Sequence, residues 1–118
     1  MAVGQTPECV AFSADGKFLG MVVMNGSNKP KASPSCNDMG KVRVFGVDGT
    51  KLTRIAEAPI GHWSQRVGFS KNGKTLLVQN MVEKDHWVFS FDGKNLQDTG
   101  QRILVKGGAA SIGMACVR

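Results

Sequence analysis

Several kinds of residue and segment are missing from this sequence. It has no tyrosine, only two tryptophans and no stretch of about 18 apolar residues. We therefore expect no membrane-spanning segment and no membrane partner. The first ten residues lack the basic region and apolar core of a secretory signal, and the localisation of the protein stays unknown.

Metal-binding and catalytic motifs are also missing. The three cysteines, Cys9, Cys36 and Cys116, show no C-x-x-C pair and no other metal-ligand spacing. There is no G-x-S-x-G turn, no H-E-x-x-H and no pair of carboxylates placed for acid–base chemistry. We therefore predict no metal site, no cofactor and no catalytic residue.

The positive charge is spread along the chain. Fifteen Lys and Arg residues outnumber nine Asp and Glu residues, which gives a net charge of +6. The basic residues form no run, and few aromatic residues are present to stack on bases. This distribution argues against nucleic-acid binding and favours the attraction of small anions.

Part of the sequence occurs twice. The stretch VAFSADGK (10–17) recurs as VGFSKNGK (67–74), 57 residues later, and VFGVDGTKL (44–52) recurs as VFSFDGKNL (88–96), 44 residues later. The difference of 13 residues is an insertion in the first copy, within residues 24–40. Its Ser, Pro, Asn and Gly residues are typical of a loop.

Each copy alternates apolar, β-branched or aromatic runs with short turn signals. Asp-Gly and Asn-Gly pairs end several of the runs, and they suit hairpins because both central residues tolerate a positive φ. No apolar run keeps a helical period. We therefore predict four antiparallel strands, A to D, in each copy.

The predicted fold class is all-β, with two four-stranded antiparallel propeller-type blades plus an extra C-terminal strand from Ala110 to Val117. Blade one covers about residues 5–61, blade two about 62–108, and a third blade begins within 109–118. Phe12 and Phe69 are expected to occupy like environments. The alternative is a single sandwich of eight or nine strands, but strands that are apolar on both sides favour stacked blades.

The repeated pattern resembles bacterial β-propellers of the YVTN-repeat and lactonase-like group. The resemblance spans about residues 5–116 and rests on P-x-x-V-x-F-S-x-D-G-K in the first copy and F-S-x-N-G-K in the second. It implies propeller blades and, as an activity, the opening of sugar lactones at the mouth of a central channel. No residue here matches the group's catalytic residues position by position, so we carry none over.

The number of blades raises the question of partners. Two blades and one strand are fewer than the roughly four blades that a closed propeller needs. Uncovered blade faces and strand edges favour association. We expect a homo-oligomer or the remainder of a larger propeller as the partner; closure of the two sheets into a small sandwich is the other possibility.

The candidate ligand site lies where the variable loops should meet. The B–C loops and the D–A links share the end of a blade opposite the tight turns, and GHWSQR (61–66) is the link richest in chemistry. The predicted ligand-binding residues are His62, Trp63, Gln65, Arg66 and Glu8.

Each of these side chains has a functional and a structural interpretation. Arg66 would bind a carboxylate or phosphate, Trp63 would stack on a ring, and His62 would act as a general base. Alternatively, His62 braces its turn as in Gly-His blades, Trp63 covers the end of the core, and Arg66 pairs with a carboxylate of the next blade.

Together these features predict a binding module that presents a polar, cationic loop face to a small anionic or sugar-like ligand or to a protein partner. We expect this module to self-associate and not to be catalytic. The alternative functions are a lactonase-like hydrolase of sugar lactones, or a piece of a larger propeller with no function of its own.

Overall fold

The computed structural model describes residues 2–113, and this part of the chain contains strands and no helix. It therefore contains no helix that could span a membrane. The strands are β1 (Pro7–Phe12), β2 (Phe18–Val23), β3 (Gly40–Asp48), β4 (Lys51–Ile60), β5 (Ser64–Phe69), β6 (Thr75–Asn80), β7 (Asp85–Phe91) and β8 (Leu96–Leu104).

The strands form two antiparallel sheets of four. Sheet one has the order β1-β2-β3-β4, and sheet two has the order β5-β6-β7-β8. The predicted all-β class and the two four-stranded sheets are confirmed. Half of the predicted C-terminal strand, Ala110 to Val117, lies outside the described residues, and residues 110–113 belong to none of the eight strands.

The first turn of each sheet is built from the same hydrogen bonds. In sheet one, the Ser13 hydroxyl donates to the Asp15 carboxylate at 2.6 Å and accepts the Phe18 N–H at 3.0 Å. In sheet two, the same roles are taken by Ser70, Asn72 and Thr75. The repeated Ser-x-Asp/Asn pattern therefore fixes the turn that positions strands A and B.

The glycine of each of these turns adopts the left-handed backbone conformation. Gly16 has a φ of +71° and Gly73 a φ of +70°. In the described residues the positive φ falls on the glycine and not on Asp15 or Asn72 before it. A turn of this kind needs one left-handed residue, which glycine supplies without steric cost.

The two sheets pack face to face around one apolar core. The facing sides bury Val22, Val42, Val44, Ala58 and Ile60 from sheet one and Val67, Phe69, Leu76, Val78, Phe89 and Phe91 from sheet two. Gly20 lets the sheets come close, because a Cβ at this position would lie 3.1 Å from the Phe69 ring and 3.3 Å from Val67. Phe18 contacts Phe91 edge to face across the junction, with ring centres 5.0 Å apart.

A buried polar network ties the start of sheet two to its neighbouring strands. The Asn80 side-chain oxygen accepts the Gly61 N–H at 3.1 Å and the Ser64 hydroxyl at 2.6 Å. The Asn80 amide nitrogen donates to Asp85 at 3.0 Å. Because Ser64 and Asn80 are fully buried and Asp85 nearly so, these bonds satisfy groups that would otherwise destabilise the fold.

The Asp85 carboxylate also orients Trp87. The Trp87 indole N–H donates to Asp85 at 3.0 Å, and the Arg102 guanidinium lies 3.8 Å from the centre of the indole ring. Asp98 accepts two hydrogen bonds from Arg102, at 2.8 and 2.7 Å. The indole is therefore fixed by a hydrogen bond at its nitrogen and a cation over its face.

Equivalent residues of the two copies differ in exposure. Phe12 pairs with Leu19 and Phe69 pairs with Leu76, so the two phenylalanines share a register and a face. Yet Phe12 is 60% exposed and Phe69 is 3% exposed. The expectation of like environments is thus right for position and wrong for burial, because sheet one packs against Phe69 whereas no described sheet packs against Phe12.

Candidate functional site

The B–C loops and the D–A link meet at one end of the molecule, as predicted. The His62 main-chain N–H donates to both Glu83 carboxylate oxygens at 3.0 Å, and its Nδ1 lies 2.5 Å from Glu83 Oε1. His62 Nε2 lies 3.3 Å from Asp38 in the insertion. The Trp63 N–H donates to the Ser27 hydroxyl, also in the insertion, at 3.2 Å.

The two carboxylates around His62 set the charge of its ring. The hydrogen bond to Glu83 raises the pKa of His62; partial burial opposes the rise, and the bond to Asp38 adds to it. Because each ring nitrogen has a carboxylate partner, the imidazole links two loops. This geometry matches the bracing interpretation of His62.

Backbone geometry keeps the link close to its neighbours. A Cβ on Gly61 would lie 2.6 Å from side-chain atoms of both Asn80 and Glu83, so only glycine fits here. Trp63 has a φ of +51° and is 41% exposed. A bulky residue in this left-handed conformation is strained, and the Ser27 hydrogen bond helps to maintain it.

Glu8 and Gln65 occupy equivalent β-bulges. The β1–β2 register shifts between Pro7 and Cys9, and the β5–β6 register shifts between Ser64 and Arg66. The extra residue in each case is Glu8 or Gln65. A bulge changes the direction of the side chains that follow it. The structural effect of Glu8 and Gln65 is therefore to bend strand A.

Arg66 lines a cleft between β1 and β5, which are edge strands of their sheets. The cleft has a volume of about 470 Å³, and its walls include Cys9, Val10, Phe12, Ser70 and Ile112. Arg66 Nε donates to the Ala110 carbonyl at 3.3 Å. The five predicted residues are therefore divided among the D–A link (His62, Trp63), the bulges (Glu8, Gln65) and the cleft (Arg66).

Sequence reasoning missed several residues of these regions. Glu83 and Asp38 are the partners of His62; their loops were expected at this end, but the sequence did not indicate which side chains of those loops contact the imidazole. Cys9 lies half-buried at the cleft, and its thiol forms no disulfide within residues 2–113. Cys9 is the equivalent of Arg66 in the first copy, 57 residues earlier, so the repeat indicated that the two occupy matching positions.

Gln79 is a further missed residue, on the strand next to Arg66. It pairs in register with Arg66 and with His86, and it is fully buried. Neither atom of its side-chain amide has a hydrogen-bond partner within residues 2–113. The sequence signal for this site was the polar pair Gln79-Asn80, which directly follows the apolar run TLLV (75–78). The same residues contain no group of three or more His, Cys, Asp or Glu arranged to bind a metal ion.

Comparisons with known proteins relate the fold to lactonase-like structures. No protein family profile and no curated protein sequence matches the chain. A "putative 6-phosphogluconolactonase" from Bacteroides fragilis NCTC 9343 is 27% identical, with a TM-score of 0.67 over 88% of this chain. Another from Bacteroides uniformis ATCC 8492 is 23% identical, with a TM-score of 0.68 over 89% of this chain.

The similarity covers only part of those proteins. This chain spans 27% of the first structure and 28% of the second, little more than a quarter of each. The two four-stranded sheets fit the arrangement of neighbouring blades in a propeller-like lactonase fold. The chain is thus similar, over most of its own length, to a two-blade portion of such structures.

Proposed function

We propose that this chain is a two-blade binding unit of a lactonase-like propeller and that its inner cleft binds a small anionic, sugar-like ligand. The observation that carries the proposal is the position of Arg66 on the wall of the cleft between β1 and β5. In a propeller the innermost strands line the central channel. The cleft would therefore open towards that channel, where ligands of propellers enter.

The chemistry of the cleft suits a sugar acid or sugar phosphate. Among the described residues, Arg66 uses only its Nε, towards the Ala110 carbonyl. The two terminal nitrogens remain to form paired hydrogen bonds with a carboxylate or phosphate. Val10, Phe12 and Ile112 supply apolar wall for the carbon skeleton of the ligand.

Ligand binding tests this proposal directly. We expect 6-phosphogluconate and gluconate to raise the melting temperature of the protein, measured by thermal shift, and Arg66→Ala to weaken binding roughly tenfold or more, as for a lost hydrogen bond to a charged group. Arg54→Ala is the matched control, because Arg54 is an exposed arginine on β4. Equal binding by wild type and Arg66→Ala would contradict the proposal.

Lactone hydrolysis is the second candidate function, and the similarity to the Bacteroides fragilis structure favours it. In that reaction water attacks the lactone carbonyl, a base takes the proton of the water, and the ring C–O bond breaks as its oxygen is protonated. The described residues that line the cleft include no carboxylate and no imidazole. We therefore expect the chain alone to bind without hydrolysing, with any base supplied by further blades.

An assay of acid release from 6-phosphogluconolactone separates the two candidates. Binding without hydrolysis above the spontaneous rate supports the binding unit. Hydrolysis that is lost in Arg66→Ala would instead establish the lactonase-like function for the chain itself. The possibility that the chain has no function apart from a larger propeller is addressed by the same binding measurement, which would then show no ligand.

A further inference from the structure

We propose that the outer face of sheet one binds the outer face of sheet two of a second copy of this chain, head to tail. The outer face of sheet one is the side turned away from sheet two; Val10 and Phe12 are exposed on it, beside Leu19, Met21 and Phe45, which are buried within the chain itself. On the outer face of sheet two, Leu77 and His86 are half-buried, and Gly68, Val88 and Gln79 are buried.

The exposed residues of sheet one have buried equivalents in sheet two. Val10 is 53% exposed and Phe12 is 60% exposed, whereas their equivalents Val67 and Phe69 are 4% and 3% exposed. What covers Val67 and Phe69 is the inner face of sheet one in the same molecule. The residue type and register of Val10 and Phe12 therefore fit them to a neighbouring blade of the same kind.

The repeat indicates which part of a second copy would meet Phe12. Within the chain, Phe69 packs against the position of Gly20, at 3.1 Å from a Cβ placed there. The equivalent of Phe69 is Phe12, and the equivalent of Gly20, 57 residues on, is Leu77. A second copy docked as sheet two docks on sheet one would thus place Phe12 over Leu77.

An apolar hollow is present at that position. Leu77, Gly68, Phe69 and Ile112 line a cavity of about 220 Å³ on the outer face of sheet two, together with Thr75 and Ser70. Ile112 forms a wall of this hollow and does not fill it. An exposed phenylalanine on one face and an apolar hollow on the other are complementary, and each copy presents both.

The two complementary faces differ, so the contact is heterologous. Contacts of this kind build closed rings when the rotation closes and open chains when it does not. Three copies would supply the six blades of a closed propeller. Val10 and Phe12 also line the cleft beside Arg66, but assembly mass is measured without ligand, so failure of this inference and failure of ligand binding are distinguishable.

Measurement of mass by light scattering or sedimentation, over a wide range of protein concentration, tests the interface. We expect wild type to form assemblies larger than one chain, and Phe12→Lys and Leu77→Glu each to reduce the mass to that of one chain. Leu104→Lys is the control, because Leu104 is 79% exposed and lies outside both faces. It should assemble like wild type.

Mixing the two variants distinguishes this interface from other forms of association. Phe12→Lys retains the hollow and Leu77→Glu retains the phenylalanine, so the mixture should contain complexes that neither variant forms alone. Phe12 is exposed, so Phe12→Lys should fold even if Leu77→Glu does not. A monomeric wild type, assemblies that persist in Phe12→Lys, or folded variants that form no mixed complex would each overturn the proposal.

Discussion

At the scale of the residue, His62 shows how a local motif acquires its role from distant partners. Gly61-His62 is visible in the sequence, but Glu83 and Asp38, which contact the imidazole, lie in separate loops. The repeat predicts the turn that carries His62. It does not predict its partners, because the insertion that holds Asp38 exists only in the first copy and has no equivalent to compare.

The raised pKa of His62 predicts a pH-dependent stability. Protonated His62 is favoured in the folded state, so its contribution is fully present below the unfolded pKa of about 6.5 and is lost as pH rises through the higher folded pKa. We therefore expect the free energy of unfolding to fall as pH rises above about 6.5. Urea unfolding across this range should show a weaker dependence in His62→Asn.

His86→Asn is the control for this measurement. His86 is the other histidine of the chain, and it lies within sheet two opposite Gln79. This variant should keep the pH dependence of wild type. An unchanged pH profile in His62→Asn would show that another group is responsible.

At the scale of the element, strands and turns follow closely from the sequence, whereas irregularities do not. Asp-Gly and Asn-Gly signals and the repeat placed all eight strands, and the serine hydrogen bonds at residues 13 and 70 explain why these turns recur. The bulges at Glu8 and Gln65 were missed, because a bulge changes register without changing composition.

Because the sheets approach each other closely at Gly20, we expect a larger side chain there to lower the free energy of unfolding. Valine is favoured in strands, yet Gly20→Val should lower the free energy of unfolding by about 1–3 kcal/mol, because its side chain would overlap the Phe69 ring. Gly107→Val is the control, since a Cβ there meets no atom within 4 Å, and its change should stay within about 0.5 kcal/mol. Equal effects in urea unfolding would contradict the packing described for Gly20.

At the scale of the whole molecule, the two repeats share one contact between their sheets. Equivalent residues of the repeats should therefore contribute differently to the free energy of unfolding. We expect Phe69→Ala to lower the free energy of unfolding by about 3–5 kcal/mol and Phe12→Ala by less than about 1 kcal/mol, because only Phe69 is buried. Urea unfolding of dilute protein measures both, since dilution removes any contribution from association. Comparable losses would show that Phe12 is covered in solution.

The fixed indole of Trp87 and the exposed indole of Trp63 give the protein two separate optical reporters. Because the chain has no tyrosine, and excitation at the red edge of indole absorption does not excite phenylalanine, emission excited there comes from these two groups alone. Trp87, held by Asp85 and Arg102, should report the integrity of the second sheet. Trp63, at the insertion loop, should be the one reached by a water-soluble quencher, so a single spectrum can follow the loops and the sheet independently.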